Sequence, residues 1–402
     1  MEILSIIEFL AQKPLYYKEI DHERVQSAYR MLQPHISRPG TIHVVGTNGK
    51  GSTGRMIAHL AFMGADSREQ GTGMSVGHYT SPHILTFNER IWLNGEDASD
   101  EVLESAHQRL FAILGKEMSE ALTYFEYTTL LAFVVFEKCD LMVLEAGLGG
   151  EFDATNVCDK ELSVITPIGI DHQAFLGESI AEIANTKIRS IQKKVLLAPQ
   201  PYEEVVEVAE RIVSDVGASL VVARNMDDIY ATEFEKNILK LENIAKQKGW
   251  PKYLSDNALV AIQALEILQL PYDVDTLSSL ELFGRFYPIA ENIRIDVGHN
   301  PLAAGVVAEA MEPDTVLVYN SLDDKEYEKV LRILKPKVKR VEIIRIDSQR
   351  ATTLENIEKA LNRIDISYRY FEHTIDKKEH YLVFGSFYTV EAFLKSYGDN
   401  TL

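Results

Sequence analysis

The chain is poor in cysteine, with only Cys139 and Cys158. Two thiols build no disulfide framework, and a reducing cytoplasm is the compartment they fit. Neither has an identifiable basic partner, so both read as packing residues. Apolar runs are short; none approaches the ~20 residues that span a bilayer, so no membrane is expected as a partner. The first residues, Met1–Glu8, carry acidic side chains inside their apolar stretch and lack a basic leader, so an export signal is not expected. Basic residues are in the minority: 41 Lys and Arg against 60 Asp and Glu give a formal net charge of −19. A nucleic-acid partner, which normally leaves a basic footprint, is therefore not expected. Anionic small substrates are not excluded, because local lysines, arginines, backbone amides and metal ions hold them whatever the global sign. Low-complexity linkers, repeats and charge blocks are also missing, so any domains are expected to be closely joined.

What is present is a long, ordinary globular composition. At 402 residues the chain exceeds the size at which one core keeps growing, so two domains are expected. Apolar content of 46% and charged content of 25% supply core and surface in usual proportion. Short β-rich runs at 41–47, 141–145, 162–166, 195–198 and 219–223 alternate with helical patterns at 23–32, 53–62, 100–114, 126–138, 179–191 and 202–213. A further helix is expected at 256–268. That rhythm predicts a mostly parallel sheet with helices on both faces. A second series follows, with strands at 293–296, 315–320, 341–346, 368–371 and 381–384 between helices at 303–311, 326–334, 354–362 and 388–396. The expectation is an α/β protein with domains at 1–280 and 281–402, and a cleft between them as the natural reaction site. The charged stretch 226–250 fits no element and is expected to be an exposed insertion.

The sharpest motif is Gly46-Thr47-Asn48-Gly49-Lys50-Gly51-Ser52, between the apolar run Ile42–Val45 and a helix-like segment. A strand, a glycine turn, a lysine and a hydroxyl at a helix start make a nucleotide-phosphate cradle, since backbone amides and the helix dipole favour negative charge. Lys50 would reach the β- and γ-phosphates. The spelling departs from the common P-loop: Gly51 separates Lys50 from the hydroxyl, and Val44 occupies the early glycine position.

Other clusters fall at strand ends, where open α/β sheets bind ligands. Leu141–Glu145 runs into Gly147-Leu148-Gly149-Gly150, so Glu145 is a candidate metal ligand; Asp153, Thr155 and Asn156 follow in a polar turn. Ile165–Gly169 ends in Asp171-His172, a second metal-capable pair. Tyr79-Thr80-Ser81-Pro82-His83 follows the glycine-rich stretch 71–78, which reads as a mobile loop rather than an element. There Ser81 could offer a hydroxyl to Mg²⁺. In the second series, Arg285 could clamp phosphates, Asp296 could bond ribose hydroxyls, and His299 and Asn300 could face the reacting centre.

Taken together, these clusters resemble the folylpolyglutamate synthase/dihydrofolate synthase family, a branch of the Mur-type ATP-dependent amide ligases. The matching strings are GTNGKGS at 46–52, YTSPH at 79–83, FNERI at 87–91, LEAGLGG at 144–150, DATNV at 153–157, IGIDH at 168–172, Gly284-Arg285-Phe286, DVGHNP at 296–301 and GSFYTV at 385–390. They occur in family order along nearly the whole chain, and Gly51 is a trait of the folate branch. The resemblance implies an N-terminal P-loop Mur-ligase-type ATPase domain and a smaller Rossmann-like C-terminal domain. It implies ATP at Gly46–Ser52 in the interdomain cleft, with Asn257, Arg285 and Asp296 as further nucleotide contacts. Ser81, Glu145 and His172 match Mg²⁺ ligands, and Lys187 matches a lysine that becomes carbamylated and supports a second metal. Ser81, Pro82, His83, Asp153, Thr155 and His299 are candidate substrate contacts, and Lys50, Lys187 and His299 candidate catalytic residues. The implied reaction joins L-glutamate to 7,8-dihydropteroate, and further glutamate to folates, through an acyl phosphate, in a mostly monomeric cytoplasmic enzyme.

Some positions depart from the family pattern. Thr186-Lys187-Ile188-Arg189 replaces the usual Glu-Lys-Ala-Gly, Glu151 stands where arginine is common, and Val297 replaces a glycine. The Gly-x-His-Gln string expected before Asn257 is missing. Two rival readings remain at this stage: a Mur-type ligase for another carboxylic acid, and a nucleotide-binding protein without ligase turnover.

Overall fold

The computed structural model describes residues 3–14, 21, 23–64, 73–225 and 233–399, to which every count and absence below refers. Part of the expected insertion, 226–232, and the start of the expected loop, 71–72, lie outside the described residues. Two compact units result. The first combines Met1–Ile168, Ser179–Leu241 and Asn257–Leu280; the second combines Gly169–Glu178, Glu242–Asp256 and Glu281–Leu402. The units therefore do not follow the chain in order.

The first unit holds β1 (Gly40–Val45), β2 (Val76–Tyr79), β3 (Ile91–Leu93), β4 (Glu96–Asp97), β5 (Leu141–Glu145), β6 (Leu162–Ile165), β7 (Lys194–Leu197) and β8 (Ser219–Val222). They form one sheet of eight strands in the order β4-β3-β2-β5-β1-β6-β7-β8. From β2 to β8 all pairings are parallel; β3 and β4 add an antiparallel edge. Parallel strands are covered on both faces, which is why β5 is buried along its whole length and reads as an apolar run. The helix Tyr124–Phe136 is apolar almost all round because it lies inside this packing, with Tyr127, Leu130, Leu131, Phe133 and Phe136 all in one core.

The glycine-rich stretch expected to lack an element contains β2, whose four residues are all buried. Gly77 sits there because the Phe136 ring lies on it: a Cβ would meet Phe136 Cδ1 at 2.3 Å. Packing against an aromatic ring overrides the poor β propensity of glycine. Helix bounds also differ. The helix after β1 runs Lys50–Gly64, starting before Thr53. Asp100–Ala121 continues past Leu114 through a kink at Gly115, whose φ of 71° no other residue type adopts easily. The helix expected from Asp256 begins at Lys252, and Glu233–Lys248 is itself helical.

The second unit holds β9 (Tyr287–Ala290), β10 (Ile293–Ile295), β11 (Thr315–Tyr319), β12 (Val338–Ile343), β13 (Tyr368–Tyr370) and β14 (Tyr381–Phe384). Their order is β13-β12-β11-β14-β10-β9, parallel throughout except for the edge strand β9. Leu317, Tyr319, Leu382 and Phe384 pack with Ala304, Val307, Leu331 and Leu361 from the covering helices. Each such large side chain contributes roughly 2 kcal/mol by leaving water. After β6 the chain enters this unit at Gly169, where a Cβ would meet Leu302 Cδ2 at 3.0 Å, and leaves it before Ser179. Among the described residues no helix is long and apolar enough to cross a membrane.

Candidate active site

Four neighbouring parallel strands of the first unit, β2, β5, β1 and β6, end side by side. The register pairs Tyr79 with Leu144, Val44 with Glu145, and Val45 with Ile165. The last residue of β5, Glu145, and the residues that follow the other three strands, Thr80-Ser81, Gly46–Ser52 and Thr166-Pro167, are therefore brought to one edge. Carboxyl ends of parallel strands are where open α/β sheets take ligands.

The P-loop is built by close approach. At Gly46 a Cβ would lie 2.0 Å from Thr166 Oγ1 and 2.8 Å from its carbonyl oxygen. At Gly49 φ is +83°, and a Cβ would meet Asn257 Oδ1 at 2.9 Å. Asn257, expected as a nucleotide contact, is buried against this turn. The phosphate cradle expected from the sequence draws on backbone amides of this loop. In the structure, Thr47 and Asn48 instead donate to the Pro167 carbonyl at 3.0 and 3.1 Å. The amides of Lys50, Gly51 and Ser52 open the helix and have no carbonyl four residues back within it, which leaves that helix start suited to an anion. Lys50 Nζ donates to Thr47 O at 3.1 Å, holding its ammonium at the loop.

Glu145 is 4% exposed, so its carboxylate is shielded from bulk water. It accepts from Thr80 Oγ1 and from the Ser81 amide at 3.2 Å. The Ser81–Pro82 peptide is cis. A carboxylate bonded by the Thr80 hydroxyl, with the Ser81 hydroxyl on the next residue, offers the oxygen donors that fit Mg²⁺ completed by phosphate oxygens and water. His83 accepts a 2.8 Å bond from Arg90 Nε. Among the described residues no group of three or more His, Cys, Asp or Glu side chains is gathered for a metal ion. Ser81 and Glu145 come together; His172 belongs to the second unit.

Lys187, in the helix Ile180–Ile188, is 4% exposed and donates from Nζ to Gly46 O at 2.9 Å. Asp153 and Thr155 are also buried. Asp153 accepts from the amides of Leu148 at 2.8 Å and Thr155 at 3.0 Å, and from Thr155 Oγ1 at 2.6 Å. Burial raises its pKa against these donors. Thr155 Oγ1 lies 2.8 Å from His43 Nε2. Both side chains thus tie the glycine turn after β5 to β1.

In the second unit, Asp171 is the hub. Its carboxylate takes Lys325 Nζ at 2.6 Å, Asn300 Nδ2 at 3.2 Å and the His172 amide at 2.9 Å, with His299 Nε2 at 3.5 Å. Burial opposes its ionisation, but His299, His172 and Lys325 together hold it well below the usual carboxylate range. Asn300 also caps the helix Pro301–Ala310 through the Ala303 amide at 2.9 Å. Asp296 is a second hub: it accepts from Tyr253 OH, Phe286 N and Gly298 N, each at 2.8 Å. Burial raises its pKa, although Arg285 works against this. The Arg285 guanidinium rests on the Phe387 ring at 5.4 Å.

Sequence reasoning passed over Lys325. It follows β11 in Asp323-Asp324-Lys325, a charged cluster at the end of an apolar strand. That placement was the available signal, the same one that singled out Glu145 and His172.

No family model matches the chain. A dihydrofolate synthase/folylpolyglutamate synthase from Buchnera aphidicola subsp. Schizaphis graminum is 32% identical over 379 residues, covering 87% of this chain and 86% of the relative. Among solved structures, Helicobacter pylori folylpolyglutamate synthetase superposes with a TM-score of 0.75 at 37% identity, covering 98% of both chains. E. coli FolC in complex with DHPP and ADP gives a TM-score of 0.81 at 24% identity over 99% of both chains, a likeness of fold.

Proposed function

The chain belongs to the dihydrofolate synthase/folylpolyglutamate synthase family, and from that premise we propose that it is an ATP-dependent ligase joining L-glutamate to 7,8-dihydropteroate. Extension of folates with further glutamate uses the same chemistry and is part of the proposal. The observation that carries the reading is the meeting of Glu145, Thr80-Ser81 and the N-terminus of the Lys50–Gly64 helix at adjacent strand ends. Such an edge pairs an oxygen donor set with an anion cradle, which is what a metal-bound triphosphate requires.

A carboxylate is a poor acyl donor to an amine because its leaving group would be oxide. Transfer of the γ-phosphoryl group onto the acid supplies phosphate as the leaving group, and the amine of glutamate then displaces it. The protein's work is positioning and charge neutralisation. The amides of Lys50, Gly51 and Ser52 and the Lys50 ammonium hold the β- and γ-phosphates. Glu145 and Ser81 are the residues that would hold Mg²⁺, with His172 as a further ligand. When bound, the ion neutralises charge on the transferring phosphate. Arg285 and Asp296 are assigned to the nucleotide, Asp296 with its carboxylate already shared among three internal donors. His299 is assigned to the γ-phosphate and incoming amine. Pro82, His83, Asp153 and Thr155 are assigned to the folate side, the last two through the shape of the turn they brace. A carbamate on Lys187 would stand at the Gly46 carbonyl and could support a second metal ion. The monomer and cytoplasmic location belong to the same reading, as do the two buried free thiols.

Acceptor-dependent phosphate release tests this. Release with dihydropteroate and glutamate together, and with neither alone, is expected. Release with a UDP-muramyl acceptor instead would assign the chain to another acid, and ATP binding without release would assign it to a passive nucleotide binder.

A further inference from the structure

We propose that Lys325 is a positioning residue for the ligation, acting through Asp171 on His299. The inference rests on the ligase reading above and extends it to a residue that the motifs do not mark.

The Lys325 side chain is 4% exposed and that of Asp171 9%, so each charge depends on the other. An ionised carboxylate offers about four lone-pair directions. At Asp171 three donors face them, Lys325 Nζ at 2.6 Å, the His172 amide at 2.9 Å and Asn300 Nδ2 at 3.2 Å, and the His299 ring lies against the same carboxylate with Nε2 at 3.5 Å. Asp171 cannot turn without breaking several contacts. His299 is fixed on its other side as well, since Nδ1 lies 3.1 Å from Val297 O, which can only accept. The ring is thus held between a carbonyl and a carboxylate, and the carboxylate is held by Lys325.

The same ammonium lies 3.3 Å from His172 Nε2. Lys325 therefore touches the neighbourhood of both imidazoles that the motifs single out, while being too buried to serve as a general surface charge. A buried ion pair kept for stability alone can often be replaced by apolar groups. One shared with two functional imidazoles sets ring orientation, and a misplacement of about 1 Å at a reacting group costs about 100-fold in rate.

The test is a double-mutant cycle on the full chain, with Lys325→Met, Asp171→Asn and both together. The readouts are kcat for labelled glutamate incorporation, KM for ATP and for glutamate, and the thermal midpoint. Each single variant should lose about 100-fold in kcat with both KM values within about threefold of wild type. The double variant should be no slower than the slower single one, because both changes remove the same support. Losses that multiply in the double variant overturn the inference, as does a raised KM for glutamate with kcat intact, which would put Lys325 on the amino acid itself. Should Lys325→Met lose its cooperative melt, Lys325→Gln is read in its place, and wild-type kcat in that variant overturns the inference. Absence of glutamate incorporation by the wild-type chain refutes the ligase reading instead, so the two failures are distinguishable.

Discussion

Lys187 reaches from the helix Ile180–Ile188 to the carbonyl of Gly46, with its Nζ at 2.9 Å. A buried lysine nitrogen thereby props the first bend of the P-loop from a helix more than a hundred residues further along the chain. The same helix receives Gly150, where a Cβ would lie 2.2 Å from the Lys187 carbonyl oxygen. Loop, strand end and helix are one packed assembly. Lys187→Met should raise the KM for ATP about tenfold and cost about 1–3 kcal/mol in stability, the penalty for leaving a buried carbonyl without its donor. Steady-state kinetics and a urea titration measure both. If the lysine carries a carbamate, ¹³C-bicarbonate gives a carbamate resonance that this variant loses.

Two P-loop substitutions should fail in different ways. Gly46→Ala forces a methyl to within 2.0 Å of Thr166 Oγ1. Overpacking of this kind costs about 1–3 kcal/mol, and here it also displaces the loop. A lowered thermal midpoint together with lost ATP binding is expected. Lys50→Ala removes a charge from a half-buried position and nothing from the core. Its unfolding free energy should stay within about 0.5 kcal/mol of wild type, while glutamate incorporation is abolished; substantial turnover would remove Lys50 from the phosphate site.

Glu145→Gln keeps the shape of the side chain and much of its bonding to Thr80 and Ser81 but removes the anion. Metal affinity should fall, seen as a raised Mg²⁺ concentration for half-maximal rate and weaker Mn²⁺ binding by titration calorimetry with a non-hydrolysable ATP analogue. An unchanged Mn²⁺ affinity would take Glu145 out of the metal site.

A pH effect follows from Lys160, which is 3% exposed. It donates to Ser190 O at 2.7 Å and to Asn156 Oδ1, and lies 3.5 Å from His43 Nδ1. Burial lowers its pKa to about 8, against Cys158, Asp153 and Asp159. Below pH 8 the amine is protonated both folded and unfolded. Between about 8 and the ordinary value of 10.5 the folded chain sheds a proton that the unfolded chain keeps. The unfolded state then binds more protons, so this group makes stability rise with pH across that window, by at most about 3 kcal/mol. Urea midpoints at pH 7.5 and 10 should therefore show Lys160→Met losing ground to wild type at the higher pH. Parallel behaviour of the two proteins would contradict the assignment.

Much of this arrangement was legible in the residues. The parallel strands β1, β5, β6, β7, β10, β11 and β14 announce themselves as short apolar runs because both their faces are covered. Other parts were hidden for physical reasons. β2 was obscured by Gly77, whose presence is dictated by the Phe136 ring on the other side of the contact. β3, β4 and β9 are antiparallel strands of only two to four residues, too short to show a strand period in the sequence. The packing of 169–178 with the second unit depends on Asp171 meeting Lys325, a pair separated by 154 positions. The motif residues Glu145, Ser81 and Lys50 could be picked out, but not that the Thr47 and Asn48 amides are already spent on Pro167. Hydrogen-bond partners are set by backbone geometry, which a motif does not spell out.

The most direct measurement follows oxygen. Dihydropteroate labelled with ¹⁸O in its carboxylate is incubated with the chain, ATP and L-glutamate, and the released phosphate is analysed by mass spectrometry. Activation of the acid by phosphoryl transfer predicts one labelled oxygen in each phosphate released, with one amide formed per ATP consumed. Phosphate free of label, or ATP consumed with no amide formed, would contradict it.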